Sequence, residues 1–171
     1  MSVIRTLKEQ RKQVQKRKQE IRSLLQDMGE KITDLEADGI EVRPLQAENL
    51  KDLRVAAIMD EFTLACFAPE CQLTQLTPEN WLAEMESADP ELLFIESAWQ
   101  GKDRKWYGKI NRCAPEVRAL IAYAHEHHIP VVFWCKEDPV HTDTFMVIAR
   151  FADIVFTTDA ECIAKYKREL G

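Results

Sequence analysis

The chain has 171 residues and a formal net charge of -6, with 46% hydrophobic and 30% charged residues, which is the composition of a globular protein and excludes a disordered or fibrous one. No apolar stretch approaches the roughly 20 residues that a membrane-spanning helix requires, and the N-terminus lacks the apolar segment of a secretory signal, so a cytoplasmic protein is expected. The five cysteines form no Cys-x-x-Cys pair and do not alternate with histidines at metal-ligand spacing, which predicts neither disulfides nor a metal site.

The first 38 residues carry a seven-residue apolar repeat. One core position of the repeat holds Ile4, Leu25 and Ile32, and the other holds Leu7, Val14, Ile21, Met28 and Leu35. Such a repeat is typical of a coiled coil. It predicts an amphipathic helix over residues 1–38 that pairs with a second copy through residues 4–35 or packs on a neighbouring domain.

Basic residues are concentrated at the start of this helix. Residues 1–22 hold eight Lys and Arg against two Asp and Glu, whereas the remainder holds 15 against 27, so a basic arm precedes an acidic body. Arg11 and Lys18 fall at core positions, and we therefore expect the apolar seam to be firmest from residue 21 to residue 35. Nucleic-acid binding is not expected, because no aromatic residues are interleaved with the basic ones and the whole chain is acidic.

After a polar linker over residues 39–53, β-branched apolar runs alternate with helical patterns, as in a parallel α/β sheet. Five strands are predicted, at residues 55–59, 72–76, 92–95, 131–134 and 154–157. Helices are predicted at residues 78–87, 116–127, 142–151 and 160–169. Right-handed crossovers favour a Rossmann-like, doubly wound sheet with the strand order 2-1-3-4-5, in a domain spanning residues 54–171.

Polar residues follow the carboxyl ends of these strands, which is the edge where open α/β sheets bind ligands. In chain order the candidates are Asp60, Glu61, Glu96, Ser97, Trp99, Lys136, Glu137, Asp138, His141 and Asp159. Carboxylates here can orient a substrate hydroxyl or accept its proton, and an imidazole can act as a base near neutral pH. The alternative is that these residues end strands, form turns and cap helices.

The loop after the third predicted strand adds two further aromatic residues, Trp106 and Tyr107, to Trp99. Flat aromatic side chains beside amides and charges suit the apolar faces of sugars, although packing beneath a long loop accounts for them equally well. The chain has five glycines, and none of them forms G-x-G-x-x-G or a P-loop. Classical dinucleotide and P-loop chemistry is therefore not expected.

Four segments at these strand ends resemble the N-terminal half of bacterial spore-maturation CgeB-type glycosyltransferases. They are residues 58–63 (IMDEFT), 76–81 (LTPENW), 94–99 (FIESAW) and 133–141 (FWCKEDPVH). Residues 156–159 (FTTD), with Cys162 and Tyr166, extend the likeness, which covers residues 54–171.

The resemblance implies the two-lobed GT-B architecture, in which an N-terminal Rossmann-like lobe shapes the acceptor side and a C-terminal lobe holds a nucleotide-sugar donor. It implies that this chain is the acceptor-side lobe, that it binds no cofactor alone, and that it is inactive without a donor lobe from the same or another chain. Asp60, Glu61 or His141 would then take the proton from a glycan or protein hydroxyl. The substrate-binding residues would be Glu96, Ser97, Trp99, Lys136, Glu137, Asp138 and Asp159.

A second hypothesis is a non-catalytic regulatory or scaffold module, either receiver-like or carbohydrate-binding, that dimerises through its N-terminal helix. A strand ending in Asp60 and Glu61, together with Glu96 after the third strand, fits the outline of a receiver domain. The last predicted strand, however, ends at residues 157–159 without the lysine that phosphoryl chemistry there would need.

Overall fold

The computed structural model describes residues 43–171. The predicted helix over residues 1–38, its pairing and the first part of the linker lie outside the described residues. Within residues 43–171 the chain forms five strands: β1 Arg54–Ile58, β2 Gln72–Gln75, β3 Leu92–Glu96, β4 Val131–Cys135 and β5 Ile154–Thr157. The same residues form five α-helices: α1 Glu61–Phe67, α2 Trp81–Ala88, α3 Pro115–Glu126, α4 Thr142–Ala149 and α5 Ile163–Leu170.

The strands form one all-parallel sheet in the order β2-β1-β3-β4-β5. This confirms the α/β class, the five predicted strands and their order. The central strands are apolar on both faces because both faces are covered there, and Ile58, Ile95 and Phe133 lie side by side in register and fully buried.

The predicted start of the helix that follows β2, at residue 78, is wrong. Residues 78–80 form a turn, in which the amides of Asn80 and Trp81 both donate to the Thr77 carbonyl oxygen, and α2 begins at Trp81. Glu84 in the first turn of the helix reaches back to accept from the Thr77 amide at 3.1 Å. Pro78 therefore sits in the turn before the helix, whereas Pro115 occupies the first turn of α3, as predicted.

Two other helix boundaries also differ from the sequence prediction. The helix after β4 ends at Ala149 rather than at residue 151. The last helix is divided into a short 3-10 turn, Ala160–Cys162, followed by α5. Helix α1 directly follows β1 and was not predicted, because it is only about two turns long.

The two faces of the sheet are covered very differently. Helices α2 to α5 pack on one face through residues such as Met85, Leu120 and Phe145, and this side holds the larger core. On the other face, which we call the open face, α1 is the sole α-helix among the described residues that contributes to the core. There the Phe67 ring packs at 5.5 Å from that of Phe94 and at 6.1 Å from that of Trp134.

A buried carboxylate, Glu91, fastens the linker to the amino edge of the sheet. One of its oxygens accepts from the amides of Gln46 and Ala47, the latter at 2.9 Å. The other faces the Arg54 guanidinium at 3.4 Å. The linker thus crosses beneath β3 before the chain enters β1.

This arrangement predicts an acid-sensitive contact. Burial alone would raise the pKa of Glu91, but its hydrogen bonds from Gln46, Ala47 and Arg54 and the charge of Arg54 outweigh it and hold the pKa below its ordinary value of 4.5. A carboxylate with a lowered pKa in the folded state contributes stability that is present above the unfolded pKa and is lost as pH falls through the folded pKa. We therefore expect the wild-type free energy of unfolding to fall more steeply below about pH 4.5 than that of Glu91→Gln.

Urea unfolding of both proteins at a series of pH values between 3 and 7 measures this difference. Glu48→Gln is the matched control, because Glu48 lies in the same linker but is exposed. Identical pH profiles for the wild type and Glu91→Gln would contradict the prediction.

Candidate functional site

A buried carboxylate lies at the carboxyl edge of the sheet, between β1 and β3, where the strand order reverses. The Glu96 side chain is fully buried, at 0% exposure. It accepts from the Asp60 amide at 2.8 Å and from the Thr63 hydroxyl at 2.9 Å, and it forms an ion pair with the Lys136 ammonium. Such partners are what a buried carboxylate requires.

The Asp60 carboxylate holds the loop that follows β3. Its two oxygens accept from three consecutive backbone amides, those of Trp99 at 3.0 Å, Gln100 at 3.0 Å and Gly101 at 2.6 Å. Asp60 occupies the N-cap position of α1, but its side chain is used for the loop and does not cap the helix. Its oxygens are therefore already occupied by donors.

Lys136 joins the ends of three strands. Its ammonium contacts Glu96 and lies 3.7 Å from the Asp60 carboxylate, and its amide donates to the Ser97 hydroxyl at 3.0 Å. Burial alone would lower the pKa of Lys136, but the hydrogen bond to Glu96 and the charges of Glu96, Asp60 and Glu137 raise it above its ordinary value. We call these residues, Asp60, Thr63, Glu96, Ser97 and Lys136, the switch-point cluster.

Two aromatic rings extend the switch-point cluster along the same edge. The Trp99 ring meets the His141 imidazole edge-on at a centroid distance of 5.2 Å and the Phe145 ring at 5.1 Å. His141 is half-buried at the N-cap position of α4, where its amide donates to the Glu137 carbonyl oxygen at 3.0 Å. An imidazole and an indole therefore lie at the same edge as the buried charges, joined to them through the Trp99 amide on Asp60.

Asp138 belongs to a separate group at the ends of β4 and β5. Its carboxylate accepts from the Thr157 hydroxyl at 2.5 Å and from the Tyr166 hydroxyl at 3.1 Å. The pKa of Tyr166 is raised mainly by burial, and also by its neighbours Cys135 and Asp138. Burial likewise raises the pKa of Cys135 to about 11. The Tyr166 hydroxyl and the Cys135 thiol therefore stay protonated at neutral pH. The contacts of Asp138 with Thr157 and Tyr166 are suited to fastening α5 to the sheet.

The remaining predicted residues take more peripheral positions. Asp159 accepts from the Glu161 amide at 2.9 Å and so caps the short turn before α5. Glu61 is exposed at the first position of α1, and Glu137 is half-buried beside Lys136. Trp106 is buried and donates its indole N–H to the Leu76 carbonyl oxygen at 2.9 Å, so it packs beneath the loop, whereas Tyr107 is exposed.

The structure thus brings together six of the ten residues that the sequence singled out: Asp60, Glu96, Ser97, Trp99, Lys136 and His141. Sequence reasoning missed Thr63 and Gly101, because neither has a chemical signature of its own and both act through hydrogen bonds to distant residues. Thr63 lies three positions after Asp60, and that spacing on a helix following a strand was the one signal that could have identified it.

The edge can bind and orient hydroxyl groups. It offers the exposed Glu61 and the half-buried Glu137 as carboxylate acceptors, together with an ammonium donor, an aromatic edge and an imidazole that can take a proton. Among residues 43–171, no three His, Cys, Asp or Glu side chains are grouped so that they could hold a metal ion. In the same part of the chain, no helix has the length and apolar character needed to cross a membrane.

Comparison of the chain with protein-family models, with curated proteins and with solved structures gave no match.

Proposed function

We propose that this chain is the acceptor-side lobe of a GT-B glycosyltransferase of the hexosyl-transferring class, and that the carboxyl edge of its sheet forms one wall of the cleft between two lobes. The observation that carries the proposal is the fully buried Glu96, held by three donors at the switch point, with Trp99 and His141 at the same edge of the sheet. Open α/β sheets bind ligands at this place, and the groups present suit a sugar.

In this proposal His141 is the base that acts on the acceptor, with Glu61 as the second candidate. Asp60 instead has a positioning role, because its oxygens already accept from three amides of the loop. Glu96, Ser97 and Lys136 hold the ends of β1, β3 and β4 in place, and Trp99 presents its indole to the sugar. Asp138 and Asp159 support the neighbouring strand ends.

The reaction would join the acceptor oxygen to the anomeric carbon of the donor sugar. The bond from that carbon to the nucleoside diphosphate would break, the diphosphate would leave with the bonding electrons, and the acceptor proton would pass to His141. The donor phosphates must be neutralised in the same closed cleft, which calls for a donor-side lobe from the same or another chain. The acceptor would be a glycan or a protein hydroxyl.

The receiver-like hypothesis has one observation in its favour, which is that Lys136 bridges Asp60 and Glu96. That lysine follows β4, however, and not the last strand. Both Glu96 oxygens already have donors, and its side chain has no exposed surface on which to meet a phosphoryl donor. We therefore favour the sugar-binding edge over phosphoryl chemistry.

Saturation-transfer NMR on the full chain tests the acceptor-side assignment. The probes are free mono- and oligosaccharides in one set and nucleotide-sugars in another. We expect saturation to reach the free sugars, and in nucleotide-sugars to reach the sugar ring rather than the nucleotide. Preferential saturation of the nucleotide would contradict the acceptor-side assignment, and an absence of transfer to every probe would contradict a sugar-binding edge.

Substitutions at the edge localise the binding. We expect Trp99→Ala and His141→Ala to reduce the saturation of free sugars severalfold, since each removes a group beside the bound ring. His127→Ala is the matched control, because His127 is an exposed histidine at the C-terminal end of α3, at the opposite edge of the sheet. Equal loss in all three variants would show that the signal does not arise at this edge.

A further inference from the structure

On the open face α1 reaches as far as Trp134 of β4 through Phe67, and no helix of the described residues covers β5. Ile154 is 47% exposed and Phe156 is 54% exposed, and they lie next to Val132 and Trp134 in register. Trp134 is itself only partly buried. A contiguous apolar surface of this kind marks a place where another segment packs, because a sheet of this class buries both faces.

The contacts of the linker show which edge of the sheet it reaches. The Arg43 amide donates to the carbonyl oxygen of His128, three residues before β4, at 2.8 Å, and its guanidinium contacts the Pro90 carbonyl and Asp89. Gln46 and Ala47 then contact Glu91 just before β3, and the chain continues into β1. At Arg43 the linker therefore lies at the amino ends of β3 and β4, and β4 is the strand that pairs with β5.

The sequence before Arg43 contains a segment of matching character and size. Ile21, Leu25, Met28, Ile32 and Leu35 recur at alternating spacings of four and three residues, which places them on one side of a helix. Fifteen helical residues are about 22 Å long, and a strand of five residues is about 17 Å long. The seven residues between Leu35 and Arg43 can span up to about 25 Å.

We propose that residues 21–35 pack as a helix on the open face of the same chain, with their apolar stripe over Trp134, Ile154 and Phe156. The open face then has two helices, α1 over β1, β3 and part of β4, and residues 21–35 over β5 and the rest of β4. This packing uses the stripe that would otherwise form a coiled-coil seam, so it competes with pairing between copies through the same residues.

Photo-crosslinking in the full chain identifies the occupant of the open face. A benzoylphenylalanine is placed at position 156, where the native aromatic side chain is already half exposed, and equal amounts of nitrogen-14 and nitrogen-15 chains are mixed before irradiation. We expect crosslinks at the mass of one chain that join position 156 to peptides from residues 21–35 of the same isotope. Crosslinks that join the two isotopes would assign the face to a second copy, and an absence of crosslinks to residues 21–35 would equally overturn the proposal.

Two charge-matched variants test the stripe itself. Met28→Lys with Ile32→Lys places charge on the stripe, and we expect the crosslink yield to fall by about tenfold or more, since two apolar side chains are lost from the contact. Ser23→Lys with Gln26→Lys adds the same charge on the opposite side of the helix and should leave the yield unchanged. A probe at the exposed Tyr107, outside the open face, should give no crosslinks to residues 21–35. Equal crosslink yields at positions 107 and 156 would contradict the proposal. Equal yields in the two double-lysine variants would also contradict it.

Discussion

Gly101→Ala is expected to lower the free energy of unfolding by about 3 to 5 kcal/mol. Gly101 has φ 61° and ψ -168°, a conformation that only glycine adopts without strain. A β-carbon at this position would lie 2.5 Å from Cδ1 of the buried Trp106 side chain. Relief of that overlap requires the loop to move, which would also withdraw the amide that Gly101 donates to Asp60 at 2.6 Å.

Gly108→Ala is the matched control for this substitution. Gly108 also has a positive φ, 67°, but a β-carbon there would meet no atom within 4 Å, so we expect a cost of only about 1 kcal/mol for the backbone conformation. Urea unfolding followed by circular dichroism measures both variants. Equal costs would mean that contact with Trp106 and the Asp60 hydrogen bond contribute little to stability.

Lys136→Met is expected to cost about 3 kcal/mol, because it removes the cation that faces a fully buried carboxylate while keeping much of the side-chain volume. Glu96 would keep its hydrogen bonds from Asp60 and Thr63 but would lose its ion pair. The loss should be smaller when the carboxylate is removed as well, so we expect the double variant Lys136→Met with Glu96→Gln to cost less than the sum of the single variants.

Lys165→Met provides the comparison on the surface. Lys165 forms an ion pair with Asp143, which is largely exposed, and exposed pairs contribute at most about 1 kcal/mol. Free energies of unfolding in urea for all four variants test the prediction. Additive costs for Lys136→Met and Glu96→Gln, or similar costs at Lys136 and Lys165, would contradict a strongly coupled buried pair.

The sheet could be predicted from sequence because its strands are marked by local patterns. Runs such as residues 131–134 are apolar at every position since they are buried on both faces, and the turn and helix residues between them leave few ways to connect parallel strands. The pattern fails where local rules compete. Pro78 suits either the first turn of a helix or a turn that precedes it. The hydrogen bond from the Thr77 amide to Glu84 favours the turn before the helix.

The candidate site was predictable in its location but not in its chemistry. A carboxylate that follows a strand has the same local sequence pattern whether it faces a ligand or accepts hydrogen bonds from the backbone. Asp60 is distinguished from Glu61 by the three backbone amides that donate to it, which lie about 40 residues further along the chain. Glu91 gave no signal at all, since its partners lie in the linker and in β1. Such pairings depend on tertiary structure and cannot be read from local sequence.

The side of the sheet on which Glu96 lies determines how water reaches it. Side chains alternate along β3, so Glu96 shares the face of Phe94, and the helix that supplies its hydroxyl donor, Thr63, is α1 rather than any helix of the larger core. A helix of seven residues has little stability of its own and frays at a small free-energy cost. Transient fraying of α1 would hydrate the carboxylate while the opposite face stays dry, so the solvation of the carboxyl edge of the sheet can change without loosening the rest of the fold.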